Sequence, residues 1–195
     1  MKIAIYGAGG MVGSRIAAEA VDRGHDVIGV TRSGGVLPGG VRALRGSATD
    51  PSITKAVADE ADAVVCAIGP DDYLDAIATL ATTVGRKRLL LVGGAGSLIV
   101  DGQRVVDSPD FPPQYQAGAL IIAQGLDYLR ELGDGIEWTM LSPAKEMAPG
   151  ERTGTFRLGL DAPVGDRISA EDYAVALVDE IEHPVHYRRR FTLGY

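Results

Sequence analysis

The chain is expected to fold as a single α/β domain of the Rossmann type, a doubly wound and mostly parallel sheet with helices on both faces. Three observations predict this. Apolar strand-like runs at Ile3–Tyr6, Val27–Val30, Val41–Leu44, Ala63–Ile68, Leu89–Val92 and Ile136–Leu141 alternate with helix-like segments. The runs VVCAI and LLLVG are continuously apolar, as parallel strands buried on both faces require. A glycine-rich turn joins the first run directly to a helix.

That turn lies in MKIAIYGAGGMVG, residues 1–13. Gly7 allows a sharp turn at the strand end, Gly10 lets the main chain approach a pyrophosphate, and Gly13 lets the helix pack close to the strand. Free amides at the helix start attract phosphate, so Gly7, Gly9, Gly10, Met11, Val12 and Gly13 are candidate cofactor-binding residues. Val12 stands where the last glycine of G-x-G-x-x-G would fall, which makes the spacing a G-x-x-G-x-x-G variant.

The first helix should span Gly10–Arg23, with Met11, Ile16, Ala17, Ala20 and Val21 at helical spacing and Gly24 as its stop. Asp50 followed by Pro51 predicts a capped helix start. Another helix is expected over Ala117–Leu132. Ser169, with Asp172 three residues on, opens a last one that runs through Tyr173, Leu177, Val178 and Ile181 to Pro184. Between the fifth strand and the helix at Ala117 lies the long stretch Gly93–Gln116, of a length that usually marks a functional or mobile loop. Arg152–Leu160 and Phe191–Gly194 read as short additional strands, one of them at the sheet edge. No repeat or Gly/Ser linker divides residues 1–195, and a small elaboration around 142–168 is expected on the substrate side.

Composition narrows the function classes. The 195 residues are 46% hydrophobic, enough for a real core. A net charge of -7 argues against a nucleic-acid surface. The basic clusters Arg86-Lys87-Arg88 and Arg188-Arg189-Arg190 read as solvated turns before strands. No apolar run approaches the roughly 18 residues of a membrane span. Met1–Tyr6 enters a strand without a basic leader, so a cytoplasmic location is expected. The single Cys66 sits in an apolar run and reads as a core residue. His25, His183 and His186 make no metal set, because Pro184 interrupts any helical ligand face and a surface turn is the better reading.

A dinucleotide fold reads the adenosine ribose at the end of its second strand, here Val30-Thr31-Arg32-Ser33. A guanidinium and two hydroxyls suit a 2′-phosphate, which favours NADP(H) over NAD(H) and makes Thr31, Arg32 and Ser33 the selecting group. The alternative is that Arg32 is a solvated loop residue. Ser47, after the third strand, and Ala67, Ile68 and Gly69, after the fourth, should flank the adenine and ribose. Pro143, after the sixth, should border the nicotinamide.

These residues resemble the atypical short-chain dehydrogenase/reductase group, in particular its small members related to NmrA-like proteins and to flavin (biliverdin IXβ) reductase. The resemblance runs through Gly7–Gly13, Arg32, Gly93–Ser97, Asp110–Tyr115, Leu141–Ala144, Pro149–Gly154 and Arg190–Tyr195. The wider superfamily uses a Ser, Tyr and Lys set, with the lysine four residues after the tyrosine. By that resemblance Ser97 and Tyr115 are the candidate catalytic residues, yet Ala119 stands where the lysine belongs, and no lysine occurs between Lys87 and Lys145. Ser97 either orients the acceptor or is a capped turn serine. Tyr115 either donates a proton or packs against the substrate, and with Phe111 and the proline pair it could form a lid. The resemblance implies an NADPH-dependent reductase acting on a flat, electron-poor small molecule such as a flavin or quinone. The alternative is a non-catalytic NADP(H)-sensing protein that binds a partner. An epimerase lacks both the Tyr-Lys pair and a substrate domain here. The apolar run ending at Tyr195 leaves room for a homodimer.

Overall fold

The computed structural model describes residues 1–195. Its strands are β1 (Lys2–Tyr6), β2 (Asp26–Thr31), β3 (Val41–Arg45), β4 (Ala63–Cys66), β5 (Arg88–Val92), β6 (Ile99–Val100), β7 (Gln103–Arg104), β8 (Trp138–Ser142), β9 (Glu146–Ala148), β10 (Arg157–Gly159), β11 (Arg167–Ser169) and β12 (Arg189–Gly194). The helices are α1 (Met11–Asp22), α2 (Pro51–Glu60), α3 (Tyr73–Thr83), α4 (Pro113–Glu131) and α5 (Ala170–Glu182). Eight strands form one sheet in the order β10-β12-β8-β5-β4-β1-β2-β3, parallel throughout except for β10 against β12. The chain crosses over between β1 and β4, and the carboxyl ends of the strands on either side open a crevice there.

The continuous apolar runs are explained by two cores. Ala4, Tyr6, Val64 and Cys66 face one side of the sheet, against α2, α3 and α4; Ile3, Ile5, Ala63 and Val65 face the other, against α1 and α5. The clusters hold 22 and 21 buried residues, so neither face of the central strands meets water. Two buried tyrosines fix strand ends near the crevice: Tyr73 donates to the Val92 carbonyl at 2.7 Å and Tyr173 to the Leu141 carbonyl at 2.6 Å.

The turn from β1 into α1 is held by close backbone contact. Gly7 has φ +80°, and a Cβ there would lie 2.2 Å from the Ala67 carbonyl oxygen. A Cβ on Gly13 would lie 2.2 Å from the Gly7 carbonyl oxygen. Both atoms are main chain and have nowhere to go, so only glycine fits.

Several boundaries differ from the sequence expectation for identifiable reasons. α1 begins at Met11, with Gly10 as its N-cap. The fourth strand stops at Cys66 because Ala67–Gly69 leaves the ladder at the crevice. α4 starts at Pro113, four residues before the expected start, since proline fits the first helical turn. Tyr115 therefore lies on a helix. The stretch from Gly93 to Pro112 is not an open loop: it holds single helical turns at Ala95–Ser97 and Val105–Asp107 and the β6-β7 hairpin, with Leu98 and Val106 buried. Of Arg152–Leu160 only Arg157–Gly159 pairs, and it makes the sheet edge. β12 is thereby covered on both sides, which removes its edge as a dimer seam.

The basic clusters are also only partly solvated. Arg88, within β5, is buried and donates to Glu180 Oε1 at 2.9 Å and Thr139 Oγ1 at 2.8 Å. Arg190, in β12, is buried and pairs with Asp161. Strand alternation turns these two side chains inward, which a charge count along the chain does not reveal. His186 likewise packs inside its turn, stacked on Phe191 at 4.2 Å and 2.8 Å from Glu180.

Asp50 caps α2 by accepting from the Ser52 and Ile53 amides at 2.9 and 3.3 Å. Ser169 caps α5 by accepting from the Asp172 amide at 2.9 Å. Asp172 does not reach back to complete a capping box. Its buried carboxylate accepts from the Thr153 and Gly154 amides at 2.8 Å each, the Thr153 hydroxyl at 2.5 Å and the Tyr195 hydroxyl at 2.7 Å. Burial alone would raise its pKa, but the Thr153 hydroxyl, the two amides and Tyr195 hold it below the ordinary carboxylate range.

Two outcomes follow. Gly13→Ala should cost about 3 kcal/mol in urea unfolding, the scale of an overpacked core site. For Asp172 the sign is that of a depressed acid: its ionised form stabilises the fold above the unfolded pKa near 3.9, and that contribution is lost as pH falls through the folded value. Asp172→Asn should therefore lower the unfolding free energy measured in urea at neutral pH by about 2 kcal/mol and flatten the loss of stability below pH about 4. An unchanged acid limb in the variant would contradict the assignment.

Candidate functional site

The carboxyl ends of β1, β2, β3 and β4 converge on a cleft of about 320 Å³. Its walls bring together Gly7, Gly9 and Gly10 from the first turn, Thr31, Arg32 and Ser33 from the end of β2, Ser47 from the end of β3, and Ala67, Ile68 and Gly69 from the end of β4. Main-chain bonds fix the frame: the Gly7 amide donates to the Val30 carbonyl at 3.0 Å, Ala67 to Tyr6 at 2.9 Å, Gly46 to Thr31 at 2.9 Å, and Gly10 to Gly7 at 2.9 Å.

The start of α1 faces this frame with its polar groups unspent. The amides of Met11, Val12 and Gly13 have no partner within the chain. Gly10 supplies no side-chain cap, and the first turn carries no acidic residue. The positive end of the helix is left uncompensated, the chemistry that holds a phosphate. A Cβ on Gly9 would meet nothing nearer than 3.7 Å and one on Gly10 only the Gly7 carbonyl oxygen at 3.3 Å, so these two glycines leave room beside the helix start. A dinucleotide pyrophosphate fits that donor set and that space.

Arg32 extends along the cleft mouth with its side chain 72% exposed. It is an exposed loop residue whose guanidinium forms an ion pair with Asp72. Asp71 and Asp72 arrive on the short helical turn Pro70–Asp72 after β4, and both line the cleft. The sequence reading missed them. The available signal was their place directly after Ala67–Gly69, at the strand end already assigned to the nucleotide. Around Ser47 the local role is a turn: its hydroxyl lies 2.8 Å from that of Thr49 and accepts from the Thr49 amide at 3.2 Å.

The remaining candidates lie outside this cleft. Ser97 is only 3% exposed. Its hydroxyl donates to the Gly94 carbonyl at 2.9 Å and lies 3.3 Å from the Ser142 hydroxyl, while Arg190 donates to the Ser97 carbonyl at 2.9 Å. Pro143 is buried at the end of β8, after Ser142. Tyr115 projects from the first turn of α4, 65% exposed, and its hydroxyl bonds to nothing in the chain. One turn further along, Ala119 packs on Gly96, whose Cβ position is 3.0 Å from the alanine methyl.

The ionisable groups lining the cleft are Tyr6, Arg32, Asp71 and Asp72. Burial pushes the Tyr6 phenol well above its ordinary pKa, so it stays protonated. Burial likewise pushes the Cys66 thiol up to about 12, which rules out a thiolate nucleophile at neutral pH. No group of three or more His, Cys, Asp or Glu side chains could hold a metal ion. No helix is long and apolar enough to cross a membrane. The cleft is thus equipped to hold an anionic nucleotide and carries no proton relay of its own.

Comparison with known proteins agrees on the nucleotide. A family model described as NAD(P)H-binding matches residues 7–184. The uncharacterized protein YwnB of Bacillus subtilis is 37% identical over 99% of this chain and 98% of its own length. A crystal structure of SP1627 from Streptococcus pneumoniae, provisionally named an NADH-flavin reductase, superposes with TM-score 0.91 at 34% identity, covering 99% of this chain and 98% of that one. A Bacteroides thetaiotaomicron structure provisionally named an epimerase superposes with TM-score 0.90 at 36% identity, over 100% of this chain and 96% of that one. The glycine turn, the strand order and these full-length likenesses lead to one assignment: the chain belongs to the NAD(P)H-binding family, on a Rossmann fold of the atypical short-chain dehydrogenase/reductase kind.

Proposed function

We propose that the protein is an NAD(P)H-dependent reductase that passes hydride to a flat, electron-poor acceptor such as a flavin or quinone, with Arg32 favouring NADPH. The observation that carries this reading is a cleft that adjoins three free helix-start amides and holds a guanidinium, in a chain with alanine in place of lysine four residues after Tyr115. Alcohol oxidation needs a base to take the hydroxyl proton. An acceptor with conjugated nitrogens or oxygens collects its proton from water, and catalysis then consists mainly of positioning. The name of the pneumococcal relative, an NADH-flavin reductase, supports the same chemistry.

In this reading the bound nicotinamide supplies the hydride, and the chain's own residues hold and orient. Gly7, Gly9, Gly10 and the amides of Met11, Val12 and Gly13 hold the pyrophosphate. Thr31, Arg32 and Ser33 read the adenosine ribose, and Ser47 with Ala67–Gly69 flanks it. Pro143 borders the nicotinamide. Ser97 acts as a positioning residue: its hydroxyl and carbonyl tie the Gly93–Ser97 turn to Ser142 and Arg190. Tyr115 offers an exposed ring on which a planar acceptor stacks.

Steady NADPH oxidation with flavins or quinones is the expected result of a small acceptor panel. Gly10→Ala should weaken nucleotide binding by about tenfold while costing only about 1 kcal/mol in unfolding stability, since within the chain the added methyl meets only the Gly7 carbonyl oxygen at 3.3 Å. Tight nucleotide binding without turnover on any acceptor would replace the reductase reading with that of a cofactor-sensing protein. Tyr115→Phe should keep kcat/KM within about twofold and Tyr115→Ala should lower it by about tenfold, the pattern of a stacking ring. A large loss in the phenylalanine variant would instead assign the phenol a proton-donating role.

A further inference from the structure

The nucleotide cleft contains its own competitor for a phosphate. Arg32 and Asp72 come from the turns after β2 and β4, and their ion pair spans the mouth of the cleft that both residues line. Asp71 lines it too, so two carboxylates accompany one guanidinium, and no other residue of the lining carries a charge at neutral pH. Arg45 stands nearby, with its Nε donating to the Arg32 carbonyl at 3.1 Å, which holds the backbone of that turn and leaves the Arg32 guanidinium to Asp72.

We propose that Asp72 is a specificity-determining residue that narrows the preference for NADPH over NADH. The inference rests on the cofactor reading given above. Asp72 occupies the guanidinium that a 2′-phosphate needs. The pair is 72% and 39% exposed, so it is held loosely and a dianion displaces it. Displacement leaves the Asp72 carboxylate uncompensated beside a like-charged group, a penalty that falls on NADPH alone. A ribose that carries a free 2′-hydroxyl instead meets a carboxylate able to accept its hydrogen bond, and Arg32 keeps its partner. The two ribose readers that dinucleotide folds usually present as alternatives are both here, each neutralising the other.

The test is a set of equilibrium dissociation constants for NADPH and NADH, read from nicotinamide fluorescence without any acceptor. It uses the wild-type chain, Asp72→Asn, Arg32→Ala and the double variant. Asp72→Asn should tighten NADPH about tenfold and leave NADH unchanged or up to about threefold weaker, the gain shrinking at high salt. In the Arg32→Ala background the gain for NADPH should be smaller than in the wild-type chain, because only the repulsion between Asp72 and the 2′-phosphate is left to relieve. An equal shift for both nucleotides, or none, overturns the role of Asp72 while leaving the cofactor reading intact. Failure of the wild-type chain to bind either nucleotide overturns the cofactor reading and this inference with it.

Discussion

Backbone pressed against backbone sets the rest of the structure. Gly13 lies against the Gly7 carbonyl and Gly7 against the Ala67 carbonyl, with no side chain between them. This stack brings the start of α1 to the end of β1 and brings the end of β4 alongside. The free amides of Met11, Val12 and Gly13 then face the crevice at the crossover in strand order. Had any of these contacts been mediated by side chains, the helix start would stand off by a methyl group or more, and its partial charge would fall off across that gap.

The architecture was legible because its determinants are local. Parallel strands buried on both faces must be apolar throughout, and VVCAI and LLLVG are; helix ends carry their own chemistry, as Asp50-Pro51 and Ser169 show. The glycine turn is legible for the same reason. Elements whose fate depends on a distant partner were not. Arg88 and Arg190 read as solvated charges until Glu180 and Asp161 arrive from elsewhere in the chain. Asp172 has the spacing of a capping-box acid, but the Glu151–Thr155 segment supplies better donors.

Within the site the same division holds. Arg32 stood out because it follows the second strand, where a dinucleotide fold places its ribose reader, and it does line the cleft. Asp72 lies 40 residues further on and meets Arg32 only through the sheet. Ser97 and Tyr115 follow from resemblance to a catalytic set whose lysine is absent, since alanine stands at 119. What the chain keeps of that set is a buried serine that braces a turn and an exposed aromatic ring.

The place of β12 has a consequence for assembly. It inserts between β8 and β10, so the short edge strand Arg157–Gly159 has no neighbour in the sheet until a segment thirty residues later has docked. Tyr195 is joined to Ser169 and Asp172, and Asp172 gathers the Glu151–Thr155 segment. The segment from Glu146 to Ser169 should therefore order together with the carboxyl-terminal strand and not before it. Removing the last few residues would unsettle a segment some thirty to forty residues earlier, by taking away both its sheet neighbour and the Tyr195 hydroxyl that Asp172 holds.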